Sequence, residues 1–446
     1  MGWDSPFVGI VQIPCRNAMP VLRDPAFSRK IKEMHSKECT CGRERRLRMF
    51  SKKVVDGLAG SSLIRAMFEE GNRLRKQFGA ENVYDFSIGN PEVEPPQAVL
   101  DSLAAHAATK EKGTHRYMPN AGLEDVRAKV SAWLTRRSGV AVDANQVLMV
   151  TGAAAGLNIV LKALLNPDEE VVVLAPYFVE YLAYIGNAGG KPVIVPLTGD
   201  DFRLDVEAIG RALTPNTKAI MLNSPHNPTG VVFPQADLEA LSALLEQKGR
   251  EFGTEIYVIS DEPYVSIVYD GVKVPEMLAI FRNAIVVNSF SKSLALPGER
   301  IGYIAASSRI ENVAVLMGAM ISLNRTLGFV NAPALFQRVI ADNLDVTVDT
   351  EFYRIRRDTL YNGVTAAGFT CVKPQGAFYL FMKTPIADDA AFAKAATKHN
   401  LLVVPGSGFG CPGYVRLAYC VDLGTIERSA PSFRKLAAEF GLSPRG

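Results

Sequence analysis

The residues best suited to chemistry lie in the run Ser289-Phe290-Ser291-Lys292-Ser293, which follows the apolar stretch Ala284–Asn288. Lysine is seldom buried without a partner. One reason to place it at the end of a buried strand is covalent condensation with an aldehyde, since desolvation and nearby cations lower the amine's pKa and keep it nucleophilic. The flanking serines leave room and offer hydroxyls, and Arg300 adds a fixed, forked cation suited to a phosphate dianion. The plainer reading of this segment is a lysine and an arginine on an exposed loop. Two further apolar stretches end in the same way. Ile259-Ser260-Asp261-Glu262-Pro263-Tyr264 sets a carboxylate, Asp261, and a phenol, Tyr264, after one strand, and Asn223-Ser224-Pro225-His226-Asn227-Pro228-Thr229-Gly230 sets Asn227 in a Pro/Gly-rich turn after another. Alone, the first is a structural cap or ion pair and the second a turn. In Thr151-Gly152-Ala153-Ala154 a small-residue turn opens a helix, whose free amides and positive dipole end suit an anion. Together these segments deliver Asn, Asp with Tyr, and Lys beside a phosphate cup, which is what a phosphorylated pyridine cofactor needs.

Such residues converge only if the strands that carry them lie side by side, because the ligand crevice of an open α/β sheet lies at the carboxyl ends of its strands. The β-rich apolar runs are Val147–Thr151, Glu170–Leu174, Pro192–Val195, Ala219–Leu222, Ile256–Ser260, Ala284–Asn288 and Ile301–Ala306. Helical patterns fall between them, for example Gly156–Leu165 and Gln235–Gln247. Alternating βα units with continuous apolar strands imply an α/β fold, a largely parallel seven-stranded sheet covered on both faces. Short strands at Ala377–Met382, Leu401–Val404 and Tyr414–Tyr419, with a final helix near Thr425–Phe440, imply a smaller α/β domain. The expected organisation is a disordered basic extension at 1–48, an N-terminal arm and part of the small domain at 49–95, a large cofactor-binding domain at 96–335 and the small domain at 336–446. An amphipathic helix is expected from Ser62 to Gly71.

Composition excludes several classes. The chain has 446 residues, 48% of them hydrophobic, enough for a large core. Lys plus Arg is 49 against 46 Asp plus Glu, a net +3, which gives no reason to expect a nucleic acid or a membrane surface as partner. No apolar run approaches the roughly 20 residues that span a bilayer. Six scattered cysteines do not form a disulfide framework, and a reducing cytoplasm is the expected compartment. Residues 1–48 hold ten Lys/Arg against five Asp/Glu. They read as a poorly ordered arm, with an upstream stretch ahead of a true start at Met49, or a targeting peptide, as the other readings; the acidic residues count against the last. His35, Cys39 and Cys41 match no zinc spacing, so no metal is expected.

In this order and spacing, Gly89-Asn90-Pro91, Tyr117, Thr151-Gly152, Pro176-Tyr177-Phe178, Asn227-Pro228-Thr229-Gly230, Asp261-Glu262-Pro263-Tyr264, Ser289-Phe290-Ser291-Lys292, Arg300-Ile301-Gly302 and Arg416 resemble the class I/II aminotransferases of pyridoxal phosphate (PLP) fold type I. The resemblance covers about residues 55–440. It implies a homodimer with shared active sites that moves an amino group between an L-amino acid and a 2-oxo acid by a ping-pong route, with pyridoxal 5'-phosphate held on Lys292 as a Schiff base. Lys292 would also shuttle the proton, Asp261 would pair with the ring nitrogen, and Tyr264 and Asn227 would bond the ring's phenolic oxygen. Phe178 would stack on the ring. Gly152, Ala153, Ala154, Ser289 and Arg300 would hold the phosphate, with Tyr117 reaching the neighbouring subunit's. Arg416 would grip the substrate α-carboxylate while Gly89 closes over it. Tyr181 stands where some relatives have His and is expected to pack. Arg325 reads as a solvated loop residue, so the substrate side chain stays open. The same cradle serves carbon–sulfur lyases, which remain the alternative; a non-catalytic PLP-binding regulator would need a DNA-binding module that residues 1–54 are too short to form.

Overall fold

The computed structural model describes residues 62–445, together with Ser51 and Val54. The basic extension, with His35, Cys39 and Cys41, lies outside the described residues. The chain divides into two units, Met1–Leu63 and Ile64–Gly446, and the strands of the described residues belong to the second. They are β1 (Tyr84–Asp85), β2 (Val147–Val150), β3 (Glu170–Ala175), β4 (Lys191–Pro196), β5 (Thr217–Asn223), β6 (Tyr257–Asp261), β7 (Ala284–Ser289), β8 (Gly302–Ala306), β9 (Thr370–Cys371), β10 (Tyr379–Lys383), β11 (Leu401–Leu402), β12 (Val404–Pro405) and β13 (Tyr414–Ala418).

Strands β2 to β8 form the expected seven-stranded sheet, in the order β2-β8-β7-β6-β5-β3-β4. All neighbours are parallel except β8, which runs antiparallel to both β2 and β7. The two-residue period of a strand explains why these runs are apolar throughout. In β2, Val147 and Met149 join the core on one face of the sheet, and Leu148 and Val150 join the core on the other. In β7, Ala284 and Val286 divide from Ile285 and Val287 in the same way. Helices cover both faces: Leu238, Leu241 and Leu245 of the helix Gln235–Phe252 pack on the first, and Leu157, Ile159 and Val160 of the helix Ala153–Leu164 on the second.

A four-stranded antiparallel sheet, β12-β13-β10-β9, forms a further layer. Leu380 and Met382 of β10 and Val415 and Leu417 of β13 share a core with Tyr353 and Leu360 of the helix Thr350–Ala366 and Phe433 and Leu436 of the helix Leu423–Glu439. Three expectations change at this level. The run Leu401–Val404 is two short strands, β11 pairing in parallel with β1 and β12 antiparallel with β13. The last helix starts at Leu423, where the Asp422 side chain accepts from the Thr425 amide at 2.9 Å. The helix from Ser62 does not stop at Gly71 but runs to Phe78. Gly71 is buried there, and a Cβ on it would come within 2.9 Å of Leu402. Close packing rather than termination explains that glycine, at a helix cost of about 1 kcal/mol. Among the described residues no helix is long and apolar enough to cross a membrane, and no His/Cys/Asp/Glu cluster could hold a metal.

Candidate active site

The carboxyl ends of β5, β6 and β7 and the turn after β2 open onto one cavity of about 200 Å³. Ala153, Ala154, Phe178, Asn227, Asp261, Tyr264, Ser289, Lys292 and Arg300 all line it. Arg300 precedes a strand instead of following one, and it reaches this edge because β8 is reversed. Ser289 pairs with Gly302 across that antiparallel ladder, so the two anchors sit side by side. Gly89 and Arg416 border the same space: Lys292 Nζ donates to the Gly89 carbonyl at 2.9 Å, and Arg416 Nη1 donates to Asn227 Oδ1 at 3.3 Å. Tyr117 is not part of its own chain's cavity; it is 93% exposed.

Lys292 sits in a single helical turn, Phe290–Ser293, at the end of β7. Burial lowers its amine to about 8, and the Arg416 and Arg300 charges add to the shift against an opposing effect of Cys420. Its Nζ lies 5.3 Å from the centroid of the Phe378 ring. Burial turns Cys420 and His226 away from a role as base or nucleophile. Burial pushes the Cys420 thiol up to about 12. Burial also lowers His226 to about 3, so the ring is neutral and its Nδ1, 2.8 Å from Thr229 Oγ1, braces the turn that carries Asn227.

Asp261 ends β6, buried among apolar strands, and burial raises its carboxyl to about 6. The Tyr181 hydroxyl opposes that shift by donating to Asp261 Oδ2 at 2.7 Å. Oδ1 is buried without a partner. Tyr181, expected only to pack, thus orients this carboxylate. The sequence signal was too thin to show it, because Tyr181 starts the helix Tyr181–Ala188, 80 residues before its partner. A second brace is Asn223, the last residue of β5. Its Nδ2 donates to the Asp261 carbonyl at 2.7 Å, and its Oδ1 accepts from the Asn227 amide at 2.7 Å. One side chain so ties the Asp strand to the Asn turn; its place at the strand end was the one signal available.

At the anion end, Gly152 caps the helix Ala153–Leu164 with φ 87°. A Cβ there would stand 2.7 Å from Arg300 Nη2, so only glycine lets the guanidinium approach the helix start. Arg300 itself is held at φ 53°, a left-handed conformation that costs a non-glycine residue on the order of 1 kcal/mol. Ser289 Oγ lies 2.6 Å from Ser291 Oγ. At the opposite end Arg416 Nη2 donates to the Ser87 carbonyl at 2.9 Å, and its buried Nε has no partner. A larger cleft, about 400 Å³, opens at the amino ends of β6 and β7. Its Ser242 hydroxyl is taken up by the Ile280 carbonyl at 3.1 Å, and its Arg282 is already paired with Glu255 at 3.0 Å.

The site brings together an amine, a buried acid and two arginines, and comparisons with known proteins bear on the chain as a whole. The family model for aminotransferase class I and II matches residues 81–433. The aspartate/prephenate aminotransferase of Thermus thermophilus is 33% identical over 355 residues, spanning 78% of this chain and 90% of the relative. Aromatic-amino-acid aminotransferase 2 of Thermococcus litoralis is 31% identical over 387 residues, spanning 82% and 96%. Among solved structures, an amino transferase from Eubacterium rectale matches with a TM-score of 0.83 and 40% identity over 85% of this chain and 96% of its own. Aspartate aminotransferase from Thermus thermophilus with maleate matches with a TM-score of 0.74 and 30% identity over 84% and 96%. The chain belongs to the class I and II aminotransferases and is an enzyme of pyridoxal-phosphate-dependent amino transfer.

Proposed function

We propose that Lys292, Asp261, Tyr264 and Arg416 are the working residues of this amino transfer, and that the cavity they share holds pyridoxal 5'-phosphate. The observation that carries the reading is a buried carboxylate with one oxygen unpartnered, in one cavity with a part-buried amine lowered to about 8. An unpaired buried charge is costly. A protonated pyridine nitrogen would satisfy Asp261, and the free first-turn amides of Ala153 and Ala154, with Ser289 and Arg300, would satisfy a phosphate. When bound, the cofactor supplies an aldehyde carbon and an electron-withdrawing ring that stabilises negative charge at the substrate Cα.

The protein's part follows from its own geometry. Arg416 has a buried, unpartnered Nε to offer a substrate α-carboxylate, which fixes one end of the amino acid. Lys292 Nζ, whose charged form burial disfavours, would take the proton from the substrate Cα and hold it for return. Tyr264 and Asn227 would bond the ring's phenolic oxygen, Phe178 would lie against the ring, and Gly89 would close over the carboxylate. The exposed Tyr117 would complete the phosphate site of a second copy, which makes the working form a homodimer; the cytoplasm is its proposed compartment. Residues 96–335 act as the cofactor domain and 336–446, with part of 49–95, as the smaller one.

Two measurements test this. The protein reconstituted with PLP should lose its visible band on mixing with some single L-amino acids and regain it with a 2-oxo acid. Borohydride should leave the cofactor's mass on the peptide that contains Lys292. A panel of amino acids that leaves the band untouched would overturn the reading. Separately, Tyr181→Phe removes a hydrogen bond to a charged group, worth about 1.5–3 kcal/mol. Turnover is expected to fall by about 10-fold or more, and the acid limb of the pH profile to move up as Asp261 loses its donor. An unmoved acid limb would return Tyr181 to a packing role.

A further inference from the structure

Tyr379, on β10, carries no signal in the sequence, yet it meets three parts of the site. Its hydroxyl lies 3.1 Å from that of Tyr264. Its ring lies against the Arg416 guanidinium, with Cζ 4.6 Å from the centroid. The same hydroxyl fills the space that a Cβ on residue 89 would need, so the backbone at Gly89 passes directly over it. Tyr379 is buried, and the register of β10 against β13 fixes its place, with Tyr379 opposite Ala418 and Phe381 opposite Arg416.

Two oddities of the site have their cause here. Arg416 is buried, and among the described residues its partners are Asn227 Oδ1 and the Ser87 carbonyl, with no carboxylate. A carboxylate partner would neutralise the charge needed for a substrate acid. Aromatic support holds a guanidinium without spending its charge: Tyr379 meets it at 4.6 Å and Phe409 at 4.8 Å. The second oddity is Tyr264, fully buried with its hydroxyl kept protonated by burial. A phenol has one proton to give. If Tyr264 points that proton at an acceptor in the cavity, the 3.1 Å contact to Tyr379 is favourable only when Tyr379 donates to it.

We infer that Tyr379 is a positioning residue of the reaction: its ring sets the Arg416 guanidinium for the substrate carboxylate, and its hydroxyl donates to Tyr264 so that the Tyr264 proton faces the cofactor. One side chain then links the two ends of the substrate–cofactor pair. This rests on the assignment of Arg416 and Tyr264 given under the proposed function.

The test separates ring from hydroxyl in the PLP-loaded enzyme. Tyr379→Phe keeps the ring. It should leave KM for the amino donor within about twofold of wild type while kcat falls. It should also raise the pH midpoint of the bound cofactor's visible absorbance by up to about one unit, because the phenolic oxygen's anionic form loses support. Tyr379→Leu removes the ring. It should raise KM for both the amino acid and the oxo acid by about tenfold. A Phe variant with wild-type kcat and midpoint, or a folded Leu variant with wild-type KM, would overturn the inference. If the Leu variant does not fold, the Phe midpoint decides alone. Wild-type enzyme that responds to no amino acid would instead refute the underlying assignment, so the two failures are told apart.

Discussion

Replacing Lys292 by Ala is expected to cut turnover by about 10⁴-fold or more, because in the proposed function one nitrogen would be both the covalent anchor and the proton carrier. Other contacts remain. The helix start at Ala153, Ser289 and Arg300 still offers an anion cup, and Asp261 still faces the cavity, so the variant should retain PLP after gel filtration while borohydride no longer fixes it to the chain. The substitution also removes a group that burial disfavours in its charged form. The folded-state pKa of Lys292, about 8, lies below its ordinary value of 10.5. In wild type stripped of cofactor, stability therefore rises with pH between about 8 and 10.5, as the unfolded chain holds a proton that the folded one has released. At neutral pH the Ala variant should melt no lower than stripped wild type, although a small cavity is left. A variant that turned over within tenfold of wild type would remove Lys292 from the mechanism.

Asp261→Asn should have the second-largest effect, a fall in turnover of about 10³-fold. Asn keeps the shape and can still accept from Tyr181, so packing is preserved and the charge alone is lost. A neutral amide does not hold a protonated ring nitrogen, and the ring then withdraws electrons less strongly from Cα. Stability should move in the opposite sense. Burial raises the Asp261 carboxyl from 3.8 to about 6. In the stripped protein the folded state binds the extra proton between those values, so stability falls as pH rises through that window and stays lower above it. That buried charge costs on the order of 3 kcal/mol at most. At pH 8 the stripped Asn variant should therefore melt higher than stripped wild type, and adding PLP should raise its melting temperature less. Wild-type turnover in the Asn variant, or equal PLP stabilisation, would show that the carboxylate does not face the ring nitrogen.

Much of this site was legible because its residues are local to strand ends. Asp261, Lys292 and the Asn227 turn each follow an apolar run, and the parallel direction of those strands brings them to one end of the sheet. Sequence reading failed where the partner comes from elsewhere in the chain. Tyr181 and Asp261 are 80 residues apart, and Tyr264 and Tyr379 are 115 apart; no periodicity encodes such pairs. Asn223 was within reach, being the last residue of its strand, but an Asn before a Ser-Pro turn reads as a turn former. Gly71 misled in the other direction, since a glycine demanded by Leu402 across the packing looks like a helix stop.

The reversed direction of β8 has one more consequence. Parallel neighbours need a long crossover between them, whereas β7 and β8 are joined only by residues 290–301. Lys292 and Arg300 both sit on that short link, pinned at its base by the Ser289–Gly302 pair. In the proposed function the link would work as a gauge of ligand length: a molecule would have to carry its aldehyde and its anion at the one spacing the link sets. Pyridoxal lacking its phosphate would satisfy only half of the measure.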